Sequence, residues 1–269
     1  MADRVLFCAS RRTFDDCLKL ACDTGAGMEI QSFAYPDVLD GDWKALVARY
    51  QQQLVVLPGE RAMHGPFIDM ASASPDQLIR AVVKQRIKHA LEIATRLEVK
   101  TVVFHANFIA AIRSEIYRRE WLGYQVDFWA PMAEYAGHLG VTLALENMWE
   151  FDPQIIGELL RAVNLPYLRA CLDVGHASLF SDIPLDGWLN VLSPYLVHTH
   201  LNNNLGQIDE HRAFDDGVID YRLVLSTLRA LPRPPAFSLE ITEPEAIQRS
   251  LPYFQLPAVL PSKPTVESS

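Results

Sequence analysis

Six of the eight histidines in this chain, and four of its carboxylates, fall at or just beyond the ends of short apolar runs that read as β-strands. The runs are RAMHGPF with His64, TVVFH with His105, VTLALE with Glu146 and RACLDVGH with Asp173 and His176. They continue with LVHTHLNNN carrying His198 and His200, IDEH with Asp209 and His211, and AFSLE with Glu240. Imidazole nitrogens and carboxylate oxygens gathered at one point form a shell for a divalent cation such as zinc, manganese, magnesium or cobalt. Taken singly, most of these residues have a plainer reading. A lone histidine ending a strand is usually a hydrogen-bonded structural residue, and the D-x-x-H of Asp173 and His176 can be a helix cap followed by a loop residue. Glu146 and Glu240 resist that reading, because a carboxylate closing a buried apolar run is costly unless paired or metal-bound.

Such residues meet only if the fold brings strand ends together. Eight strands are expected near Val5–Cys8, Met28–Phe33, Glu60–His64, Thr101–His105, Thr142–Glu146, Arg169–Asp173, Leu196–Leu201 and Ala236–Glu240. Helical spacing lies between them at Thr13–Asp23, Asp42–Gln53, Pro75–Leu97, Ser114–Leu139, Pro153–Val163, Leu185–Leu192 and Tyr221–Leu231. Ser74 before Pro75 and Asp152 before Pro153 read as N-caps followed by proline at the first helical position. The stripe Leu78, Val82, Val83, Ile87, Leu91, Ala94 is that of a helix laid on a sheet. Eight β/α repeats in 269 residues point to a single-domain α/β fold, the closed (β/α)8 barrel, over residues 1–255. An open doubly wound sheet would carry a glycine-rich turn after its first strand, where this chain has CASRR. Residues 256–269 read as a proline-rich tail.

In a parallel barrel all strand C-termini open on one face. Glu146, Asp173, His200 and Glu240 would therefore surround one ion, with His64, His105, His176, Asp209 and His211 as possible further ligands beside it. His198 shares a sheet face with His200 and is expected to support rather than ligate. His89 and His138 lie in helical stretches and read as packing or surface residues.

Composition limits the alternatives. With 49% apolar and 21% charged residues, the chain is a globular one able to bury a large core. No window reaches the roughly 18 consecutive apolar residues of a membrane span, and Asp3 stands where a signal peptide would be basic, so a cytoplasmic protein is expected. Cys8, Cys17, Cys22 and Cys171 show no C-x-x-C spacing and read as reduced thiols. The formal charge of −9 weighs mildly against a nucleic-acid-coating protein, although bound cations would add positive charge that the sequence count misses.

The motifs HGPF at 64–67, LALEN at 143–147, LDVGHA at 172–177, HLNN at 200–203, DEH at 209–211 and LEIT at 239–242 closely resemble those of the xylose isomerase-like TIM barrels. That superfamily includes sugar-phosphate isomerases and epimerases and also endonuclease IV, and the resemblance spans roughly residues 4 to 245. In the isomerase and epimerase branch it implies one ion at Glu146, Asp173, His200 and Glu240, the two glutamates acting as acid and base through an enediolate. In the endonuclease branch it implies three zinc ions held by all nine residues and cleavage of DNA at abasic sites. Where relatives follow DEH with a glycine-bounded L-G-E-G turn, this chain reads RAFDDG.

Acidic residues predominate in the loops after the strands, at Asp37, Asp40, Asp42, Glu150, Asp152, Asp182, Asp186, Asp215, Asp216, Glu243 and Glu245. Arg11, Arg12, Arg113, Arg118 and Arg119 are set against them. A small carbohydrate fits that mouth better than nucleic acid does, and the leading expectation is a metal-dependent sugar or sugar-phosphate isomerase or epimerase, with no membrane partner. His64, His176, Phe67 and Trp149 are expected to contact substrate, and Trp121 and Phe180 to wall the pocket or pack beneath loops. The stretch Trp121–Trp129 reads equally as a core face or a homo-oligomer interface.

Overall fold

Aliphatic runs bounded by polar turns form eight parallel strands in the computed structural model, which describes residues 2–256; the proline-rich tail from 257 onward lies outside the described residues. The strands are β1 Val5–Ala9, β2 Gly27–Ile30, β3 Arg61–His64, β4 Thr101–His105, β5 Thr142–Glu146, β6 Leu168–Asp173, β7 Leu196–Leu201 and β8 Ala236–Leu239. Each pairs with its sequence neighbours, and β8 pairs with β1, so the barrel is closed. The helices are α1 Phe14–Thr24, α2 Pro36–Asp40, α3 Trp43–Gln53, α4 Gln77–Arg96, α5 Glu115–His138, α6 Gln154–Val163, α7 Val174–Phe180, α8 Leu185–Leu192, α9 Tyr221–Arg229 and α10 Pro244–Ser250. No helix among the described residues is long and apolar enough to cross a membrane.

Side chains alternate between the two faces of each strand. Outward residues such as Val5, Phe7, Met28, Met63, Val102 and Phe104 join the helices in the main core. Inward ones form two small apolar groups, Leu6 with Ala62 and Ala236, and Val103 with Ala144 and Cys171. The polar residues of the strand ends lie above them. Register sets that level: His105 lies opposite Glu146, and Asp173 opposite His200. The second pairing depends on a bulge. Ala170 faces Leu196 but Cys171 faces His198, so β7 gains one residue there. Without that shift Asp173 would face Thr199, whose side chain points to the other side of the sheet.

Four local expectations are corrected. Strand β2 ends at Ile30 and the chain turns into a 3-10 segment at Ser32–Ala34, so the strand does not extend to Phe33. The N-cap of α4 is Asp76, which accepts from the Leu78 N–H, rather than Ser74. Val83, Ile87, Ala90, Leu91 and Ala94 form its buried face, whereas Leu78 and Val82 are exposed. At α6 the N-cap is Pro153 rather than Asp152, and Gln154 is the first helical residue, although the Asp152 carboxylate accepts from the Gln154 N–H. Trp121, Phe128 and Trp129 are buried within the single chain, which makes that stretch of α5 a core face.

Candidate metal centre

Glu146 ends β5 at the centre of the mouth, 1% exposed. Four imidazoles converge on it. His64 Nε2 and His105 Nε2 lie 3.3 and 3.2 Å from its Oε2, and His176 Nδ1 and His200 Nδ1 lie 3.3 and 3.1 Å from its Oε1. His200 Nδ1 is also 3.2 Å from Oε2 of Glu240, the residue that follows β8. Asp173 completes this group. Its Oδ1 accepts from the His176 N–H at 2.6 Å, capping α7, and its Oδ2 accepts from Asn202 Nδ2 at 3.0 Å. Asn202 can approach because Gly175 has no Cβ where the amide sits. Asp173 is thus both a helix cap and a member of the cluster.

A second convergence lies beside the first, where His176 Nε2 and His211 Nε2 stand 3.1 and 2.9 Å from Oδ2 of Asp209. The other nitrogen, Nδ1, faces a backbone carbonyl at 2.8 Å in each ring: Asn147 for His176 and Glu240 for His211. His64 Nδ1 faces the Gly65 carbonyl in the same way. A carbonyl can only accept, so Nδ1 carries the proton, and the neutral ring presents a lone pair at Nε2. Histidines anchored through one nitrogen with the other aimed at carboxylates are arranged as metal ligands are.

Buried polar atoms test whether a cation fits. Both oxygens of Glu146, Nδ1 of His200 and Oδ1 of Asp209 are buried without a hydrogen-bond partner. Ligand atoms of Glu146, Asp173, His200 and Glu240 lie within 4.8 Å of one another, as do those of His176, Asp209 and His211. An ion would satisfy these atoms. The mixed nitrogen and oxygen set suits zinc, manganese or cobalt better than an all-oxygen calcium site. In the ion-free protein, protons take the ion's place. Burial, opposed by His176 and reinforced by Glu146 and Glu240, pushes the Asp173 carboxyl up to about 7. Burial also works against a charged His211, yet Glu240 and Asp209 outweigh it and push that ring up to about 10. Desolvation would raise Glu146, but His200 and His105 hold it well below the usual carboxylate range.

The nine residues expected from the sequence all converge here. Seven of them, all but the fully buried Asp173 and His200, line a cavity of about 300 Å³ together with Ser10, Arg12, Gln31, Tyr35, Phe67 and Met148. His64, Phe67 and His176 line it. Trp149 is 47% exposed and stands outside the lining, while Trp121 is buried with its ring edge-on to Phe108. Phe180 packs near the His176 ring. His89 lies against Trp43, and His138 is exposed at the end of α5.

The mouth is less acidic than the sequence implied, because ion pairs take up much of the charge. Asp40 pairs with Arg86, Asp152 with Arg118, Asp215 with Arg249, Asp216 with Arg212 and Glu243 with Arg12. Glu150 is buried and accepts from the backbone N–H groups of Phe108 and Met148.

The RAFDDG segment has its own anchors. Phe214 stacks on Tyr221 at 3.8 Å, and Asn203 Nδ2 donates to the carbonyls of Phe214 and Ile219. His211 is held at φ 50°, a left-handed conformation that costs a non-glycine residue energy unless its surroundings impose it. Phe214→Leu keeps most of the volume but loses the ring stack, so a stability loss of about 1 kcal/mol is expected. Faster proteolysis between 205 and 220 should accompany it; unchanged proteolysis would show that the stack does not hold the loop.

Sequence reasoning passed over Glu29 and Gln31 and gave Asn202 no role beyond its place in the HLNN motif. Gln31 Nε2 donates to Glu240 Oε1 at 2.6 Å, and Glu29 is fully buried beneath His200. The signal was available for Glu29: a carboxylate inside the run GMEI carries the same burial cost that singled out Glu146.

Comparison with known proteins gives the family of the fold. The uncharacterised protein MJ1311 of Methanocaldococcus jannaschii is 28% identical over 200 residues, covering 71% of this chain, and the match spans 65% of that relative's length. The TTHB071 protein from Thermus thermophilus, solved after soaking with ZnCl2, is 28% identical with a TM-score of 0.76 over 94% of this chain and 96% of its own. A D-tagatose 3-epimerase-like protein has the same fold at 20% identity, with a TM-score of 0.76 over 91% of this chain and 94% of its own. The family model of xylose isomerase-like TIM barrels matches residues 18–256. The chain belongs to the xylose isomerase-like TIM barrel family.

Proposed function

We propose that this barrel is a divalent-metal-dependent isomerase or epimerase of a small sugar, sugar phosphate or related polyol, working by proton transfer. The observation that carries the reading is the meeting of Glu146 and Glu240 on either side of His200 Nδ1, 3.1 and 3.2 Å away, at a cavity of about 300 Å³. That volume is at the small end of ligand pockets. The shared fold of the D-tagatose 3-epimerase-like protein supports the substrate class. Glu146, Asp173, His200 and Glu240 would hold the ion, which when bound polarises a substrate carbonyl and acidifies the neighbouring C–H. One glutamate then takes the proton from carbon and the other returns it. Gln31 orients Glu240, and Tyr35, Phe67 and Met148 exclude water from the reacting carbon. The test is deuterium uptake from D2O into a panel of ketoses, aldoses and their phosphates by manganese- or zinc-loaded protein. Uptake at one carbon of at least one sugar is expected; none across the panel would overturn the reading.

A second reading, metal-dependent hydrolysis of a phosphodiester such as DNA at an abasic site, is favoured by one specific arrangement. The two oxygens of Glu146 face different imidazole nitrogens, Nε2 of His64 and His105 on one side and Nδ1 of His200 on the other, so Glu146 could serve more than one ion. His176, Asp209 and His211 then offer a further ion position. Three ions per chain with nicking of abasic duplex would establish this reading. One ion without nicking would retire it.

A further inference from the structure

Parallel barrels ordinarily fill their interior with branched aliphatic side chains, yet a carboxylate sits inside this one. Glu29 of β2 is 0% exposed. Its Oε2 accepts from His198 Nε2 and Ser238 Oγ, both at 2.7 Å, and its Oε1 accepts from His200 Nε2 at 2.9 Å. The small inward residues Ala62, Ala144, Cys171 and Ala236 leave the volume for this group. Glu29, His198 and Ser238 do not line the cavity, so substrate does not reach them. Burying a carboxylate at this depth is costly, and aliphatic residues would fill the space without that cost.

The hydrogen bonds indicate what the group does. An ionised carboxylate only accepts, so Nε2 of His200 carries a proton. In the neutral ring Nδ1 is then a lone pair. It is buried, has no hydrogen-bond partner, and faces carboxylate oxygens of Glu146 and Glu240 at 3.1 and 3.2 Å. A lone pair among carboxylate oxygens is repelled unless a proton or a cation stands between them, and a bound divalent ion takes the place of the proton. The same carboxylate that fixes the tautomer therefore aims His200 at the cation position.

We propose that Glu29 is a positioning residue that fixes His200 in its Nε2–H form and thereby sets the affinity for the cation held by Glu146, Asp173, His200 and Glu240. The inference rests on the metal-site reading above and is independent of the substrate. Two measurements test it on the full-length protein with zinc alone as probe. Nitrogen NMR of zinc-loaded protein labelled with 15N-histidine is expected to show His200 bound through Nδ1 with Nε2 protonated; binding through Nε2 overturns the proposal without needing any variant to fold. Competition against a chromophoric chelator is expected to give a zinc Kd about 10–100-fold weaker for Glu29→Gln than for wild type, with a smaller loss for Ser238→Ala. Tight wild-type binding that Glu29→Gln leaves unchanged sinks this inference alone. Wild-type protein that takes up no zinc sinks the metal-site reading, and this inference with it.

Discussion

Replacing Glu240 with glutamine is expected to slow deuterium uptake at the substrate carbon by about 10²–10⁴-fold, the usual contribution of a positioned acid or base, while circular dichroism stays unchanged. The amide matches the carboxylate in shape, and at 12% side-chain exposure it can sit where Glu240 sits. It keeps an oxygen for an ion but cannot accept a proton from carbon. Metal content measured on the same sample separates a lost ion from a lost base. Exchange retained at the wild-type rate would remove Glu240 from proton transfer. Glu146→Gln should cost at least as much, because Glu146 faces four imidazoles where Glu240 faces two.

Chelation should destabilise the protein strongly. An ion that binds the folded chain and not the unfolded one stabilises by mass action, about 4 kcal/mol at a concentration 1,000 times its Kd. For a domain of this size that is a rise of roughly 8–16 °C in Tm per ion. Glu146, Asp173 and Glu240 lie close together, and both oxygens of Glu146 are buried without partners, so these carboxylates repel one another when no ion is bound. Ligand atoms must lose their protons before they bind an ion. With Asp173 pushed up to about 7 and His211 to about 10 in the ion-free protein, the gain in Tm on adding zinc should grow between pH 6 and pH 8. A Tm indifferent to chelator and to added zinc, measured by calorimetry, would contradict the cation site.

Much of this site could be read from residue types at strand ends. Glu146 and Glu240 announced themselves because charge closing an apolar run is costly, and barrel closure then dictated that His64, Asp173 and His200 share one face. Residues held by tertiary contacts gave weaker signals. Asn202 matters because Gly175 leaves it room beside Asp173, a contact between the end of β7 and the β6–α7 junction that no local pattern reveals. The bulge that brings His200 level with Asp173 leaves no mark in LVHTHL, since an extra residue in a strand looks like any other. The acidic loops misled in the opposite direction: counting Asp40, Asp152, Asp215 and Asp216 along the chain does not show that Arg86, Arg118, Arg249 and Arg212 pair with them. Trp149 reads as a pocket wall by position, yet Met148 is the residue that lines the cavity.

Anomalous X-ray scattering at the zinc edge, from crystals grown with zinc, tests the central claim most directly. The expected result is a peak within about 2.0–2.3 Å of ligand atoms from Glu146, Asp173, His200 and Glu240, with the His176, Asp209 and His211 group showing whether further ions join it. A folded protein with no anomalous peak at the barrel mouth, its carboxylates turned instead to hydrogen-bond donors of the chain, would contradict the account.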